Sequence, residues 1–458
     1  MKLHKIEINN FHCYQKAEIP FGKETTVLFG KNGSGKTSLI QALANALSVF
    51  FSSNTTWGYE SLARSVSELG VSNMKVREVW HDNNMKPADH VEIKMTAELY
   101  GEQLEDWSFY KTAAEKAKLQ NSYYKKAYVK FRELVDHEDK LPVFAYYSDR
   151  FPHIDDNLSP TIKEMINNDE DFDRCWGYYH WDYKTSCAII WQRRFLRVYQ
   201  DWLTARYELE MQEDQNSNEA KKYKDEIQKH IDELDYIRGF IRRFTDSTID
   251  KLSDTSDTVR ITNLEIRGDS EKYIVARFAD GSVRRWDELP AGYERIYNLV
   301  FDLAYRSFIL NGTKSEPVGV VFIDEMDLHL HPSLELDVLL RFKHAFPNVQ
   351  LIATTHSPLV LSNFEQDDKN IVIKLLYSEG KYQQIRMSNF YGMDYDMTLS
   401  AVMETEPRNN YIRFLQEKYK RLISRGKEEK ASEILEEICR LMPGTSIDVI
   451  KTELNDLA

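Results

Sequence analysis

The chain has 458 residues, 42% hydrophobic and 29% charged, enough to bury a large core and to hold more than one domain-sized unit. A formal net charge of −13 excludes indiscriminate nucleic-acid binding by the whole surface, because neutralising phosphates needs local lysine and arginine. Four cysteines (Cys13, Cys175, Cys187 and Cys439) lack CxxC spacing, no apolar leader follows Met1, and no run of about 18 apolar residues occurs, so a soluble protein of the reducing cytoplasm is expected.

Lys2 to Asn9 alternates like a strand, and Ala17 to Phe21 and Thr25 to Phe29 follow. The apolar run Thr26-Val27-Leu28-Phe29 leads directly into Gly30-Lys31-Asn32-Gly33-Ser34-Gly35-Lys36-Thr37, which fits GxxxxGK[ST] in full and opens a helix-like stretch from Ser38 to Phe50. Strand before and helix after is the context that a phosphate loop requires. Its glycines let backbone N–H groups converge on phosphates, and the helix N-terminus adds a favourable partial charge. Lys36 reaches the β- and γ-phosphates, and Thr37 offers its hydroxyl to Mg²⁺. Asn32, Gly33, Ser34, Gly35, Lys36, Thr37 and Ser38 are thus candidate nucleotide-binding residues, with ATP and Mg²⁺ as cofactors.

Val91 to Leu99 and Asp106 to Lys111 read as further strands, and Leu141 to Tyr147 as another that ends at Ser148-Asp149-Arg150. Between them Lys125, Lys126, Lys130 and Arg132 interleave with Tyr123, Tyr124 and Tyr128, a candidate DNA-contact patch or a solvated helix face. From about Asp155 to Phe244 the period changes. Phe195, Val198, Trp202 and Leu203, then Tyr223, Ile227, Ile231, Leu234, Ile237 and Ile241, recur at three or four residues around the polar break 213–218. This predicts an inserted helical hairpin with arms of roughly twenty residues, about 30 Å long. Arg238, Arg242 and Arg243 form a second basic group on it.

Strand signals return at Val259 to Ile266 and Tyr273 to Phe278, with Asp280-Gly281 as a turn. Leu289-Pro290-Ala291-Gly292-Tyr293-Glu294-Arg295 introduces a long amphipathic helix to about Leu310. Val320-Val321-Phe322-Ile323-Asp324-Glu325 is an apolar run ending in two acids, as suits a buried parallel strand that delivers carboxylates at its C-terminal end. Asp324 is placed to hold Mg²⁺ through water, and Glu325 to polarise the attacking water. Val349 to Thr355 reads as a strand closed by Thr355-His356-Ser357-Pro358. Beyond about Asn389 comes a tail with helices from Asn410 to Ile423 and Glu428 to Leu441, then Gly444 and a last helical stretch.

The order of phosphate loop, inserted helices, LPAGYER, VVFIDEMDLHLHP and ATTHSP resembles the ABC-type ATPase heads of the RecF/SMC/OLD group. Within it, LPVFAYYSDR, DLHLHP and the tail from Tyr391-Gly392-Met393-Asp394 are most similar to the PtuA ATPases of the Septu anti-phage systems. The fold class so implied is an α/β P-loop head with a helical insertion and a helical tail. The implied division is an N-terminal head part (1–154), the insertion (155–250), a C-terminal head part (251–389) and a partner-docking tail (390–458). The resemblance also implies that Ala291, Gly292 and Glu294 belong to a signature element closing in trans over a second subunit's nucleotide, in homo-oligomers built from head-to-head dimers, up to a hexamer. His356 takes the place of the switch histidine that contacts the γ-phosphate and orders the attacking water. Pro290 stands where the signature usually has serine, so slow or regulatory hydrolysis is expected. His12 stands where related heads often have arginine, and Ser148 or Asp149 where a Q-loop glutamine is usual.

Three functions follow as expectations: an ATPase that regulates and scaffolds a separate HNH nuclease resembling PtuB; a RecF-like repair ATPase that binds DNA directly; or a self-contained OLD-like nuclease using Asp394-Tyr395-Asp396. The hundred or so residues after His356 leave little room for an appended nuclease domain. His329, His331 and Asp327 offer no complete zinc ligand set.

Overall fold

The computed structural model describes residues 1–51, 78–82, 84–113, 119–138, 140–149, 151, 174–181, 188–246, 260–269, 271–313, 315–378, 381–388, 390–403 and 410–442. Asp155, Arg150, Cys187, Val259, Asn389 and Gly444, with the expected last helix, lie outside them. The chain forms two compact units, Met1–Gly392 and Met393–Ala458.

The first unit starts with an antiparallel hairpin of β1 (Lys2–Phe11) and β2 (Tyr14–Pro20). Next come β3 (Thr25–Phe29), every residue of it buried, and α1 (Lys36–Ser48), which continues as a 3₁₀ turn, Val49–Phe51. β4 (His90–Leu99) pairs antiparallel with β1, with the short β5 (Glu102–Gln103) and with β6 (Trp107–Thr112). Its strict alternation of buried and half-buried positions marks a sheet with one face on the core. α2 (Lys125–Glu138) seats Ala127, Phe131, Leu134 and Val135 beneath the basic residues of its outer face. β7 (Val143–Tyr147) then returns to the core.

The insertion contains α3 (Ala188–Glu210) and α4 (Asn218–Phe244). Their 23 and 27 residues make arms of about 35 and 40 Å. A buried pair locks them together: Arg194 donates to Glu233 Oε1 and Oε2 at 2.7 and 2.8 Å. A three-stranded antiparallel sheet follows, made of β8 (Ile261–Arg267), β9 (Tyr273–Phe278) and β10 (Val283–Arg285).

α5 (Ala291–Asn311) is buried on almost every side from Arg295 to Leu310 rather than amphipathic. It is wedged between the core sheet and the insertion. Asp302 receives Tyr147 Oη, Trp191 Nε1 and Arg306 Nε, and Asn298 receives Gln192 Nε2. β11 (Gly319–Ile323), α6 (Pro332–Ala345), β12 (Val349–Thr354), α7 (Pro358–Ser362), β13 (Asn370–Ser378) and β14 (Lys381–Met387) complete the unit.

The core sheet has six strands in the order β14-β13-β3-β12-β11-β7, parallel except for β14. Its inner strands are near-continuous apolar runs, as a sheet covered on both faces requires. All the parallel strands end at one edge, so the loops after β3, β7, β11 and β12 emerge together. That edge is where an open parallel sheet binds its ligand.

In the second unit α8 (Asn410–Ser424) and α9 (Glu428–Leu441) form a hairpin around Leu415, Ile434 and Ile438. Tyr411, Phe414, Ile423 and Leu441 remain exposed on it.

Candidate nucleotide site

The loop after β3 is a cradle. α1 begins at Lys36 with Gly35 as its N-cap at φ 94°, and no side chain caps its first N–H groups. A Cβ at Gly30 would meet the Leu375 carbonyl at 2.3 Å, so only glycine lets β13 close this tightly on the loop. Lys36 is buried and donates to the carbonyls of Gly30 at 2.8 Å and Lys31 at 3.3 Å. Burial holds its amine below the usual pKa, while Asp324, Glu325 and Asp327 pull it upward. Ser34 Oγ is buried without a hydrogen-bond partner. Asn32, Gly33 and Thr37 are exposed, and Ser38 is half-buried beside the Cys13 thiol, to which it is hydrogen-bonded.

Two threonines, one ending β12 and one directly after it, hold the acids. Asp324 is buried, and Thr354 Oγ1 donates to its Oδ1 at 2.5 Å. The same hydroxyl accepts the Glu325 N–H at 2.8 Å, fixing Glu325 in the left-handed region at φ 53°. Thr355 Oγ1 donates to Asp327 Oδ1 at 2.6 Å, and Asp327 also accepts the His356 N–H at 3.2 Å. His356 is half-buried, and burial, then the charge of Lys36, lowers its pKa against the opposing pull of Asp327, Glu325 and Asp324. The imidazole is therefore neutral near pH 7, able to accept at one nitrogen and donate at the other. Lysine, two adjacent acids and histidine thus share one electrostatic environment, although they come from three separate loops.

Arg295 ties the start of α5 to this edge. It is buried, and donates to the carbonyls of Phe151 at 2.7 Å, Asp324 at 2.8 Å, Glu325 at 3.1 Å and Ser148 at 3.2 Å. Ser148 and Asp149 therefore meet the site through the chain's own guanidinium. Gly292 lies against the loop after β11: a Cβ there would strike the His329 carbonyl at 2.2 Å. Ala291 is exposed, Glu294 is half-buried with its carboxyl pKa raised by burial and by Asp287, and Pro290 caps α5 without a side-chain bond.

The sequence profile of the AAA ATPase domain matches residues 1–361. The chain belongs to this AAA ATPase family. It is 25% identical to the retron Vc95 probable ATPase of Vibrio cholerae, over 94% of this chain and 85% of that one. It is 34% identical to the retron Ec83 probable ATPase of Escherichia coli over 30% of this chain, and 27% identical to the Septu protein PtuA of Bacillus mycoides over 38%. Those last two matches span only 25% and 28% of the relatives' own lengths. The SMC head domain of Thermotoga maritima aligns at 13% identity and a TM-score of 0.40, over 85% of this chain and 100% of that one.

The residues of this AAA ATPase fit a magnesium nucleotide. The uncapped N-terminus of α1, the unpartnered Ser34 hydroxyl and a lysine resting on loop carbonyls are groups that an anion would satisfy. Elsewhere, the sequence candidates part company with the site. His331 caps α6, with Nδ1 2.8 Å from Ser333 Oγ, and His329 is exposed. Among the described residues no group of three or more His, Cys, Asp or Glu could hold a metal by itself. Asp394 caps a helical turn, accepting from the Met397 N–H at 2.7 Å. Lys130 pairs with Glu102 at 2.7 Å and Arg132 with Asp136 at 3.6 Å. Arg238 donates to the Leu264 carbonyl, and Arg243 pairs with Glu316 at 2.9 Å. His12 lies at φ 49° against the Phe11 ring. No helix among the described residues is long and apolar enough to cross a membrane.

Thr354, Thr355 and Arg295 were not among the sequence candidates. The ATTHSP and LPAGYER strings contain them, but their partners lie about thirty or more residues away in the chain.

Proposed function

We propose that the chain is the ATP-binding and ATP-hydrolysing regulatory subunit of an anti-phage defence complex, a scaffold that controls a separate HNH nuclease. The observation that carries this reading is the gathering of Lys36, Asp324, Glu325 and His356 into one site, in a chain whose helical second unit carries exposed apolar side chains of its own. Thr37 and Asp324 are the residues that would hold Mg²⁺, which would supply charge neutralisation at the phosphates. Lys36 leaves the Gly30 and Lys31 carbonyls for the phosphates. Glu325, fixed by Thr354, accepts the proton of the attacking water, and His356 holds that water by hydrogen bonding. Ala291, Gly292 and Glu294 close over the nucleotide of a second subunit, so the head acts as a head-to-head dimer within a homo-oligomer. Pro290 removes one hydroxyl donor from that closure, which favours slow hydrolysis and a regulatory use of the nucleotide. Domains 1–154, 155–250, 251–389 and 390–458 then serve as head, arm, head and dock.

The relatives named as retron ATPases and as Septu PtuA support a defence context. The pairing of Lys130, Arg132 and Arg243 with acids of the same chain weighs against direct DNA binding as the main activity. The test is co-expression of the full chain with its genomic neighbours, followed by identification of what co-purifies in ATP. A stoichiometric HNH protein that is lost on Phe414→Asp with Tyr411→Asp supports the reading. Salt-sensitive DNA binding with no protein partner would transfer it to the repair class, and cleavage of DNA by the chain alone, abolished by Asp394→Ala or Asp396→Ala, to the nuclease class.

A further inference from the structure

Given the nucleotide site proposed above, the terminal phosphate lies toward Glu325 and His356, which follow β11 and β12 on one side of β3. On the other side of β3 lies β13, so the sugar and base extend toward the C-terminal end of β13 and the β1–β2 turn. A group of tyrosines stands there. Tyr377 and Tyr382 are cross-strand partners on β13 and β14, with ring centroids 4.7 Å apart. Tyr382 leans on Tyr14, with centroids 5.1 Å apart, and its hydroxyl donates to the Gly33 carbonyl at 3.3 Å. Tyr14 is buried and donates to the Gly35 carbonyl at 3.1 Å. Tyr382 is half-buried, whereas Tyr377 is 60% exposed. The phosphate loop is therefore bonded to an aromatic group whose inner ring is fixed and whose outer rings face water.

We propose that Tyr382, flanked by Tyr377, is the platform on which the base of the bound nucleotide stacks, with Tyr14 as its rigid backing. A half-buried ring held in place by the rings around it gains from a flat heteroaromatic ligand without needing to be ordered by it. Because every base has a π-face, the platform reads the presence of a base rather than its edge. The polar groups at the site then serve the triphosphate alone.

The test compares binding of Mg·ATP and of inorganic tripolyphosphate to the full chain by calorimetry. Tyr382→Ala is expected to weaken ATP about tenfold and to change tripolyphosphate less than about threefold, with Tyr382→Phe close to wild type and Tyr377→Ala intermediate. Equal losses for both ligands, or a Tyr382→Phe loss as large as that of Tyr382→Ala, would show that the hydroxyl shapes the loop and the ring binds nothing. Unchanged ATP affinity in Tyr382→Ala would also overturn the platform. Wild-type protein that binds neither ligand, or binds both as well with Lys36→Ala, would instead refute the nucleotide site itself.

Discussion

Thr354 offers a test of how the acids are held. Its side chain is fully buried at the end of β12, and its hydroxyl donates to Asp324 and accepts from the Glu325 N–H at 2.5 and 2.8 Å. Thr354→Val keeps the shape and removes both bonds. A bond to a charged carboxylate contributes about 1.5–3 kcal/mol, and a buried N–H left without an acceptor costs about 1–3 kcal/mol. Glu325 at φ 53° then loses the acceptor that holds it in a sparsely populated backbone region. If about 2–3 kcal/mol of this falls on the positioning of the two carboxylates, kcat drops roughly 30- to 140-fold at about 1.4 kcal/mol per decade. KM for ATP stays within about threefold, because the Lys36 loop is untouched, and partner residues of this kind carry effects of 10- to 100-fold. Phosphate release measured across ATP and Mg²⁺ concentrations reads both parameters. Thr354→Ser restores the hydroxyl and most of the rate. Wild-type kcat in the valine variant would refute the reasoning, and an equal loss in the serine variant would assign the effect to methyl packing.

Lys36→Ala is expected to weaken nucleotide binding by at least about tenfold, whereas Glu325→Gln binds ATP normally and hydrolyses it at least about 100-fold more slowly; fluorescence titration alongside phosphate release separates the two, and unimpaired binding in Lys36→Ala would remove its assigned role. Because His356 has a lowered pKa in the folded chain, hydrolysis stays flat from neutral pH down through the ordinary imidazole value of about 6.5 and falls only in more acid solution. In that acid window the unfolded chain binds the extra proton first, so stability also declines as pH drops; an NMR midpoint for His356 at or above the ordinary value would contradict both. Glu233→Ala removes the bidentate partner of Arg194 between α3 and α4 and is expected to cost about 3 kcal/mol, while Arg194→Met with Glu233→Leu costs less; thermal melts that rank the two in reverse order would show that the pair does not lock the arm.

What was legible in the sequence was what is local. The fully buried β3 and the loop after it are contiguous, so one string carries strand, turn and helix start. The same holds for the acids after β11. The inserted hairpin showed its period because one stripe of each arm is apolar, but α5 misled: its polar residues Asn298, Asp302 and Arg306 look solvent-facing and instead bond the insertion and the core sheet. α2 reads as a basic run because its outward positions are lysines, and its buried stripe of four residues is sparse. β14 leaves alternate side chains in water and adds only an edge to the sheet, so its weak pattern hid a strand that places Tyr382 on the phosphate loop. Thr354 and Arg295 act through carbonyls, amides and a carboxylate that only the folded chain brings near.

The position of β3 in the core sheet also orders events during synthesis. The strand occupies residues 25–29, yet both its neighbours come from the last third of the chain, β12 at 349–354 and β13 at 370–378. A nascent polypeptide therefore carries its phosphate loop out of the ribosome long before the strands that flatten and flank it exist. Pairings this distant along the chain form slowly, and the early segment waits with the backbone N–H and C=O groups of both its edges unpaired. The phosphate loop thus gains its flanking strands only when nearly the whole first unit has been translated, and a product truncated before β12 lacks the frame that holds the loop.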